Sequence, residues 1–567
     1  MAAPCPDLPC PPQPAPAQPF RRLWCLARGY FGSEDRRIAL GLACAVLVFK
    51  LGQVAMQLRI NLWQREIFDA LERHDGTGFA RHAALFLLLA LGAMATAVGQ
   101  LWAQQMLALR WRRWLVEHLQ SHYVAGGTAW LLGLLPGSAD NPDQRISENT
   151  RWATFMAVDL AIGLLHAVLM AVSFIGVLWG LSGSLGLPFG LALPGHLVFA
   201  AALYALAGGL ITWAIGRPMV GINIARNQAE SDHRFALLRQ REHAEGVALL
   251  AGGADETRGL HAAFGRVLGV MHGLLRRERQ LMWVGSGYGI IAWTLPTLLE
   301  APRFFAGELT LGALMQTSQA FLEVAIALSF FQQAWPRIAD WRSHVERVVA
   351  LEDSLEAAAA ARAASGIARR EDAGAIALHG LALRSPEGAV LVAEATAELR
   401  AGERVLIQGE SGAGKSTLFR AIGGLWPWGS GAIHTPPREA MMVLPQRPYL
   451  PLGTLKAALA YPAAADAFEE VAAAAALRRC DLGQLVARLS EAARWDAVLS
   501  LGEQQRLAFA RLLLHRPRWV LMDEATSALD EASQAAMMAL FEAELAGCAL
   551  LSIGHRPGLE LWHDRVL

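Results

Sequence analysis

The chain has 567 residues, 54% hydrophobic and only 18% charged, with 50 Lys+Arg against 50 Asp+Glu. That length exceeds a single small module, and so much apolar surface excludes a mainly disordered chain. A neutral balance excludes a basic nucleic-acid binder, while a charge content this low for a soluble protein requires another home for the apolar residues. The neutrality hides a split: residues 1–350 hold 29 basic and 24 acidic residues, and residues 351–567 hold 21 and 26. Only three of the cations are lysines, Lys50, Lys415 and Lys456.

Residues 1–30 read as a Pro-rich disordered leader; without a basic start and an apolar run they do not read as a secretory signal. The six cysteines include no CxxC pair, which suits free thiols in a reducing compartment. Residues 31–350 read as a membrane domain. Six apolar stretches long enough to cross a bilayer lie near 38–58, 82–103, 154–181, 196–216, 281–300 and 309–334. Of the 29 cations in this half, 23 fall in residues 1–37, in 108–151, in 217–279 and after the last stretch. By the bias of basic residues toward the cytoplasm, those segments share that side, so both termini are expected to be cytoplasmic. The loops at 108–153 and 217–280 have helical periodicity and read as spans that continue into the cytoplasm.

Polar stripes interrupt the apolar spans. Lys50, Gln53, Gln57 and Asn61 recur on one face of the first, and Gln316, Gln319 and Glu323 on one face of the sixth. Gln100 and Gln104 make a shorter pair on the second. Polar groups avoid lipid, so such stripes face protein or a water-filled cavity. Plain interhelical hydrogen bonding is the simpler account. The charges on Lys50 and Glu323, and the recurrence on two spans, favour a cavity.

Residues 351–374 are Ala-rich and read as a linker or a loosely packed helix. From about 375 onward, short β runs alternate with helical stretches, an α/β pattern. The strand ERVLIQ (403–408) runs into GESGAGKST, comprising Gly409, Glu410, Ser411, Gly412, Ala413, Gly414, Lys415, Ser416 and Thr417. This is the phosphate-binding GxxxxGK[ST] pattern. Its glycines let backbone N–H groups turn toward phosphates, Lys415 supplies charge to the β- and γ-phosphates, and Ser416 can ligate Mg²⁺. The helix that follows presents its positive end to the anion. Near the other end, PRWVLMDEATSALD (517–530) puts Asp523 at a strand terminus, where an Mg²⁺ ligand belongs. Glu524 beside it can orient or deprotonate an attacking water.

LSLGEQQR (499–506), placed before that strand, together with the SALD turn resembles the nucleotide-binding domain of ABC transporters over the whole of 375–567. The resemblance implies ATP and Mg²⁺ as cofactors and two ATP sites shared between paired chains. It implies that Ser500 and Gly502 contact the nucleotide held by the opposite chain. It also implies that Gln446 touches Mg²⁺ and the attacking water, that His555 contacts the γ-phosphate, and that Asp530 communicates across the dimer. Leu501 and Glu503 stand where the usual LSGGQ has Gly and Gln. The aromatic residue that often stacks on adenine is absent near Arg384–Ser385. In the membrane half, NLWQREIFDAL (61–71), NPDQRISEN (141–149), FALLRQREHAEGVALLAGGADE (235–256) and APRFFAGELTLGALMQTSQAF (301–321) resemble one group of these transporters. It joins BacA/SbmA-like and YddA-like bacterial members with the peroxisomal acyl-CoA half-transporters of subfamily D. GGLWPWGSG (423–431) and RPYLPLGTL (447–455) match the same group.

The resemblance implies a six-helix exporter-like membrane domain fused to an α/β P-loop ATPase and working as a homodimer in a bacterial inner membrane. NPDQR and REHAEG would lie in cytoplasmic loops that press on the ATPase domains. The expected cargo is a hydrophilic solute, such as cobalamin or a peptide, carried past Lys50, Gln53, Gln57, Asn61, Gln316, Gln319 and Glu323. Acyl-CoA or lipid transport is the alternative.

Overall fold

The structure, a computed structural model, describes residues 27–186, 192–372, 374–410, 412–556 and 558–567. Most of the leader, part of the 182–195 loop and Ser411 of the phosphate loop therefore lie outside the described residues. The chain divides into two compact units. The first is Met1–Ser121 with Ala139–Asp353; the second is His122–Ser138 with Ser354–Leu567.

The first unit is built from long helices: α1 (Arg36–Glu72) and α2 (Gly76–Val124), then, beyond the short α3 (Thr128–Leu132), α4 (Thr150–Leu181). They are followed by α5 (His196–Glu242), the short α6 (Ala244–Leu249), α7 (Gly253–Phe305), α8 (Leu311–Leu328) and α9 (Phe330–Ala363). A small hairpin, β1 (Ser184–Gly186) with β2 (Ala192–Pro194), joins α4 to α5. A helix of 53 residues, the length of α7, extends about 80 Å at 1.5 Å per residue, well past a hydrocarbon core of about 30 Å. The periodicity of 217–280 thus becomes continuous helix rather than loop.

Among the described residues, five helical stretches are long and apolar enough to cross a membrane: Arg36–Glu72, Gly76–Leu132, Pro142–Leu181, His196–Glu242 and Leu311–Ala363. The stretch expected at 281–300 is helical, within α7, but it is less apolar. Gly285, Ser286, Gly287, Tyr288, Gly289 and Thr294 dilute its hydropathy, and Pro296 interrupts it. Helix α8 packs against α1, α4, α5 and α7. Its Ala320, Phe321, Val324 and Ala325 meet Met170, Phe174 and Leu178 of α4 and Leu197 and Ala201 of α5. Small residues on α8 let these helices approach closely, the usual basis of packing where lipid removes the hydrophobic drive.

The second unit carries two sheets. Strands β3 (Gly366–Glu371), β4 (Ala375–Arg384), β5 (Val390–Arg400) and β7 (Gly429–Thr435) form one, in the order β3-β7-β4-β5. Strands β6 (Arg404–Ile407), β8 (Met441–Leu444), β11 (Trp519–Asp523), β12 (Ala549–Ile553) and β13 (Arg565–Val566) form the other. Its order is β13-β6-β12-β11-β8 and all its pairings are parallel. The two remaining short strands, β9 (Gly453–Thr454) and β10 (Ala492–Ala493), pair with each other. Ala549–Ile553 is buried at every position, as expected for a strand covered on both faces.

Residues 351–374, which read as a linker or a loosely packed helix, carry helix and then strand. Helix α9 runs to Ala363 with Leu351, Leu355 and Ala358 buried, and β3 then joins the first sheet. The stretch His122–Ser138 groups with this unit, whereas NPDQR belongs to the first. In α3, Trp130 lies 5.9 Å from the ring of Trp426, with the Arg420 guanidinium 5.8 Å from its own ring centre. Arg362 donates to Thr128 Oγ1 at 2.8 Å, and Leu134 packs on the same core as Trp426.

Candidate nucleotide site

Parallel strands deliver the candidate residues to one edge. The phosphate loop follows β6 and opens α10 (Lys415–Ile422); Asp523 ends β11; Gln446 lies two residues beyond β8; His555 lies two residues beyond β12. Sites at the carboxyl ends of parallel strands follow from this winding. Gly414 takes φ +82°, and a Cβ there would stand 2.8 Å from the Leu391 carbonyl oxygen. The loop is therefore closed to side chains at that point and presents backbone. Lys415 Nζ donates to the carbonyls of Gly409 at 2.6 Å and Glu410 at 2.7 Å, folding back across the loop. Ala413 donates its N–H to Glu410 O at 3.3 Å, and Thr417 is buried on α10.

Ser416 Oγ lies 3.4 Å from Asp523 Oδ1. Burial pushes the Asp523 carboxyl above the ordinary carboxylate range, the Ser416 hydrogen bond opposes that, and the neighbouring Glu524 charge adds to it. A hydroxyl and a half-buried acid at this spacing, beside a second acid and a phosphate-binding loop, are a hard-oxygen donor set that fits Mg²⁺.

Glu524 sits in the left-handed backbone region, at φ 49°, and its N–H donates to Ile553 O at 3.0 Å. Strained backbone of this kind concentrates at functional positions. Its carboxylate is met from two sides: Gln446 Nε2 donates to Oε2 at 2.8 Å, and His555 Nε2 lies 3.7 Å from Oε1. Three residues from three connections thus converge beside Asp523.

Ser500 caps α11 (Leu501–His515), and Glu503 completes a reciprocal capping box. Glu503 Oε2 accepts from both the backbone N–H and the hydroxyl of Ser500, each at 2.9 Å. The Ser500 N–H holds the Glu503 carboxylate below its ordinary range. The Glu that departs from LSGGQ therefore has a local role in fixing the helix start. Gly502 packs against the Ala528 carbonyl. Asp530 caps α12 (Glu531–Met538), accepting from the Ser533 N–H at 2.7 Å.

Gln505 was not singled out by the sequence. It is fully buried, and its Nε2 donates to Gln446 O at 3.0 Å and Ser527 Oγ at 3.2 Å, while its Oε1 accepts from Ala528 N at 3.0 Å. It joins the connection carrying Gln446 to the turn after Glu524. Arg556, beside His555, donates to Ser527 O at 2.9 Å and to Leu529 O. Only their positions inside the LSLGEQQR and SIGHR motifs could have marked these two residues.

The membrane stripes occupy two kinds of surroundings. Asn61 and Gln316 are buried and bond each other: Asn61 Nδ2 to Gln316 O at 3.0 Å, and Gln316 Nε2 to Asn61 Oδ1 at 3.2 Å. They tie α1 to α8. Gln57 Nε2 and Gln319 Nε2 both donate to Glu323 Oε1, at 2.7 and 2.8 Å. Lys50 donates to Gln53 Oε1 at 3.0 Å, and Gln53 reaches Thr96 O at 3.4 Å. Gln104 donates to Asp159 Oδ1 at 2.9 Å, and Asp159 also pairs with Arg337.

A helical membrane unit followed by a P-loop ATPase with this constellation defines a transport ATPase. Residues 26–305 match the family described as ABC transporter transmembrane region 2, and residues 392–527 match the family described as ABC transporter. An uncharacterized ABC transporter ATP-binding protein of Haemophilus influenzae is 30% identical over 96% of this chain and 92% of its own length. The inner membrane ABC transporter ATP-binding protein YddA of Escherichia coli is 27% identical over 94% and 95%. ABC transporter D family member 2, chloroplastic, of Arabidopsis thaliana is 28% identical over 100% and 88%. A bacterial Atm1-family ABC exporter solved with ATP bound shares the fold, with a TM-score of 0.72 at 19% identity, covering 94% of this chain and 93% of that one. The chain belongs to the ABC transporter family and is a membrane ATPase whose hydrolysis is coupled to transport.

Proposed function

We propose that the protein works as a homodimer in the bacterial inner membrane, with both termini cytoplasmic, moving hydrophilic solutes such as cobalamin or peptides. The observation that carries the cargo class is the run of polar side chains from Lys50 to Glu323, which places amides, an ammonium and a carboxylate within the spans. Such groups are costly in a membrane and mark solute paths. Homodimerisation is supported by one membrane domain and one ATPase domain per chain, an arrangement that runs the length of its relatives. The boundaries that fit are a membrane domain ending near Asp353 and an ATPase domain that also takes in His122–Ser138.

In the ATPase half, the backbone of the loop from Gly409 to Gly414, with Lys415, would hold the phosphates of ATP. Ser416 and Asp523, with Gln446 nearby, would hold Mg²⁺, which supplies charge neutralisation on the transferred phosphoryl group. Glu524 orients and deprotonates the attacking water, with Gln446 and His555 fixing its carboxylate. Ser500, Gly502 and Glu503 complete the site of the second copy, and Asp530 links the two. The contribution of all these groups is placement of charge around the phosphoryl group rather than covalent chemistry.

The test is ATP-dependent uptake by purified protein in sealed vesicles of known orientation, offered cobalamin, short peptides or acyl-CoA. Movement of the polar solutes supports the proposal. Movement of acyl-CoA alone refutes it and selects the second reading.

A further inference from the structure

Glu323 differs from the other acids set deep in the helical unit. Asp159 pairs with Arg337, and the fully buried Glu300 pairs with Arg303 at 2.7 Å and His196 at 3.2 Å. Glu323 receives only two neutral amides, both on the same oxygen, Oε1. Among the described residues it makes no ion pair, and it is partly accessible on a helix whose Ala320, Phe321, Val324 and Ala325 are buried and apolar. A carboxylate in low dielectric with one oxygen uncompensated is expensive. Among the described residues Lys50 does not pair with it: the Lys50 ammonium donates to the neutral Gln53 Oε1 and keeps its charge. Lys50 lies seven residues from Gln57 on α1, about 10 Å along a helix rising 1.5 Å per residue. One face of α1 thus carries an ammonium without an acid and, a level away, meets a carboxylate without a cation.

We infer that Glu323 is the anchor for a positively charged group of the cargo, a primary ammonium or a guanidinium that binds the free Oε2. The inference rests on the proposal that the chain moves polar solutes and narrows it to a subclass. Gln57 and Gln319 hold the carboxylate in place by Oε1 and leave Oε2 for the incoming donor. A cargo carrying only negative charge meets repulsion at this level. The spacing from Lys50 to Gln57 matches about three extended peptide units at 3.3–3.6 Å each, so a short chain with a cationic group at one end and an anionic group at the other satisfies both unpaired charges.

The experiment measures ATPase stimulation of the purified protein in lipid nanodiscs by three N-acetylated tripeptides, Ac-Ala-Lys-Ala, Ac-Ala-Gln-Ala and Ac-Ala-Glu-Ala, of which only the first carries an ammonium, and by an acyl-CoA. Glu323→Gln keeps an acceptor oxygen for Gln57 and Gln319, so the helix contacts survive while the charge is lost. The lysine peptide should stimulate the unaltered chain at the lowest concentration. In Glu323→Gln that concentration should rise about 10- to 100-fold, the value of one charge-assisted hydrogen bond away from water, while the glutamine peptide shifts less than about threefold on the same reasoning. Glu323→Asp should fall between. An unchanged lysine response in Glu323→Gln overturns the inference and shows that Glu323 acts as a neutral, protonated group. Stimulation by the glutamine or glutamate peptide but not the lysine peptide overturns it while leaving polar-solute transport standing. Stimulation by acyl-CoA alone overturns both, and stimulation by neither acyl-CoA nor any of the peptides overturns the inference alone.

Discussion

Gln505→Leu isolates positioning from contact with nucleotide. The change keeps the bulk of a fully buried side chain and removes bonds of 3.0, 3.2 and 3.0 Å to Gln446 O, Ser527 Oγ and Ala528 N. It strands a carbonyl and an N–H, and a buried polar group without a partner costs about 1–3 kcal/mol. The connection holding Gln446 then loses about 2–6 kcal/mol of local support on the same scale. Gln446 reaches Glu524 Oε2 at 2.8 Å, so that freedom is passed to the carboxylate. If about 2 kcal/mol of it reappears in the barrier, kcat falls about 30-fold. The KM for ATP should stay within about threefold, because the phosphate contacts lie elsewhere. Steady-state phosphate release over an ATP titration reads both parameters. Gln505→Glu should be worse than Leu, since it sets a carboxylate against the Gln446 carbonyl. Wild-type kcat in folded Gln505→Leu, or a loss confined to KM, would refute the reasoning.

Glu524→Gln should lower phosphate release by about 10²- to 10⁴-fold, the range for a positioned base, and should retain ATP in a closed dimer visible by size exclusion; full turnover removes Glu524 from the proposed role. Gly414→Ala places a Cβ 2.8 Å from Leu391 O at φ +82°, so binding of a fluorescent ATP analogue should weaken at least about tenfold, and unchanged binding contradicts the closed loop. His563 is held below its ordinary range by burial, opposed by its hydrogen bond to Leu559 O. A depressed folded value means its stabilisation is present above about pH 6.5 and is lost as pH falls. The melting temperature should therefore drop from about pH 7 to pH 5, less steeply in His563→Gln; equal slopes refute the assignment. Trp130→Ala removes the contacts with Trp426 and Arg420 and should destabilise the ATPase unit by about 1–3 kcal/mol, read by denaturant melting; no change would make that packing incidental.

The phosphate loop and the Asp523–Glu524 pair were legible because their spacing is dictated by a ligand, and spacing survives in one dimension. Gln505 was not, because a glutamine inside a helix looks the same whether it is solvated or fully buried; only its partners from Gln446 and Ala528 distinguish the two. Strand β3 read as linker because its GIARRE sequence buries only Ile367. The helix at 281–300 reads as an apolar span between Arg-rich stretches, although its glycines and Tyr288 dilute the apolar signal. The polar stripes were legible as stripes. Which members seal against another helix, as Asn61 and Gln316 do, depends on the neighbour, and the sequence does not contain it.

The placement of Trp130 and Leu134 in the core of the second unit bears on how that unit can be prepared alone. Excised at Ser354, it would leave behind seventeen residues that belong to its own packing. The face around Trp426 would be bare and prone to self-association. A synthetic peptide covering His122–Ser138, added in trans, should act as a missing fragment and restore solubility. The order of the chain and the order of the domains are then different things: the ATPase unit is not complete until part of the membrane half has already been made.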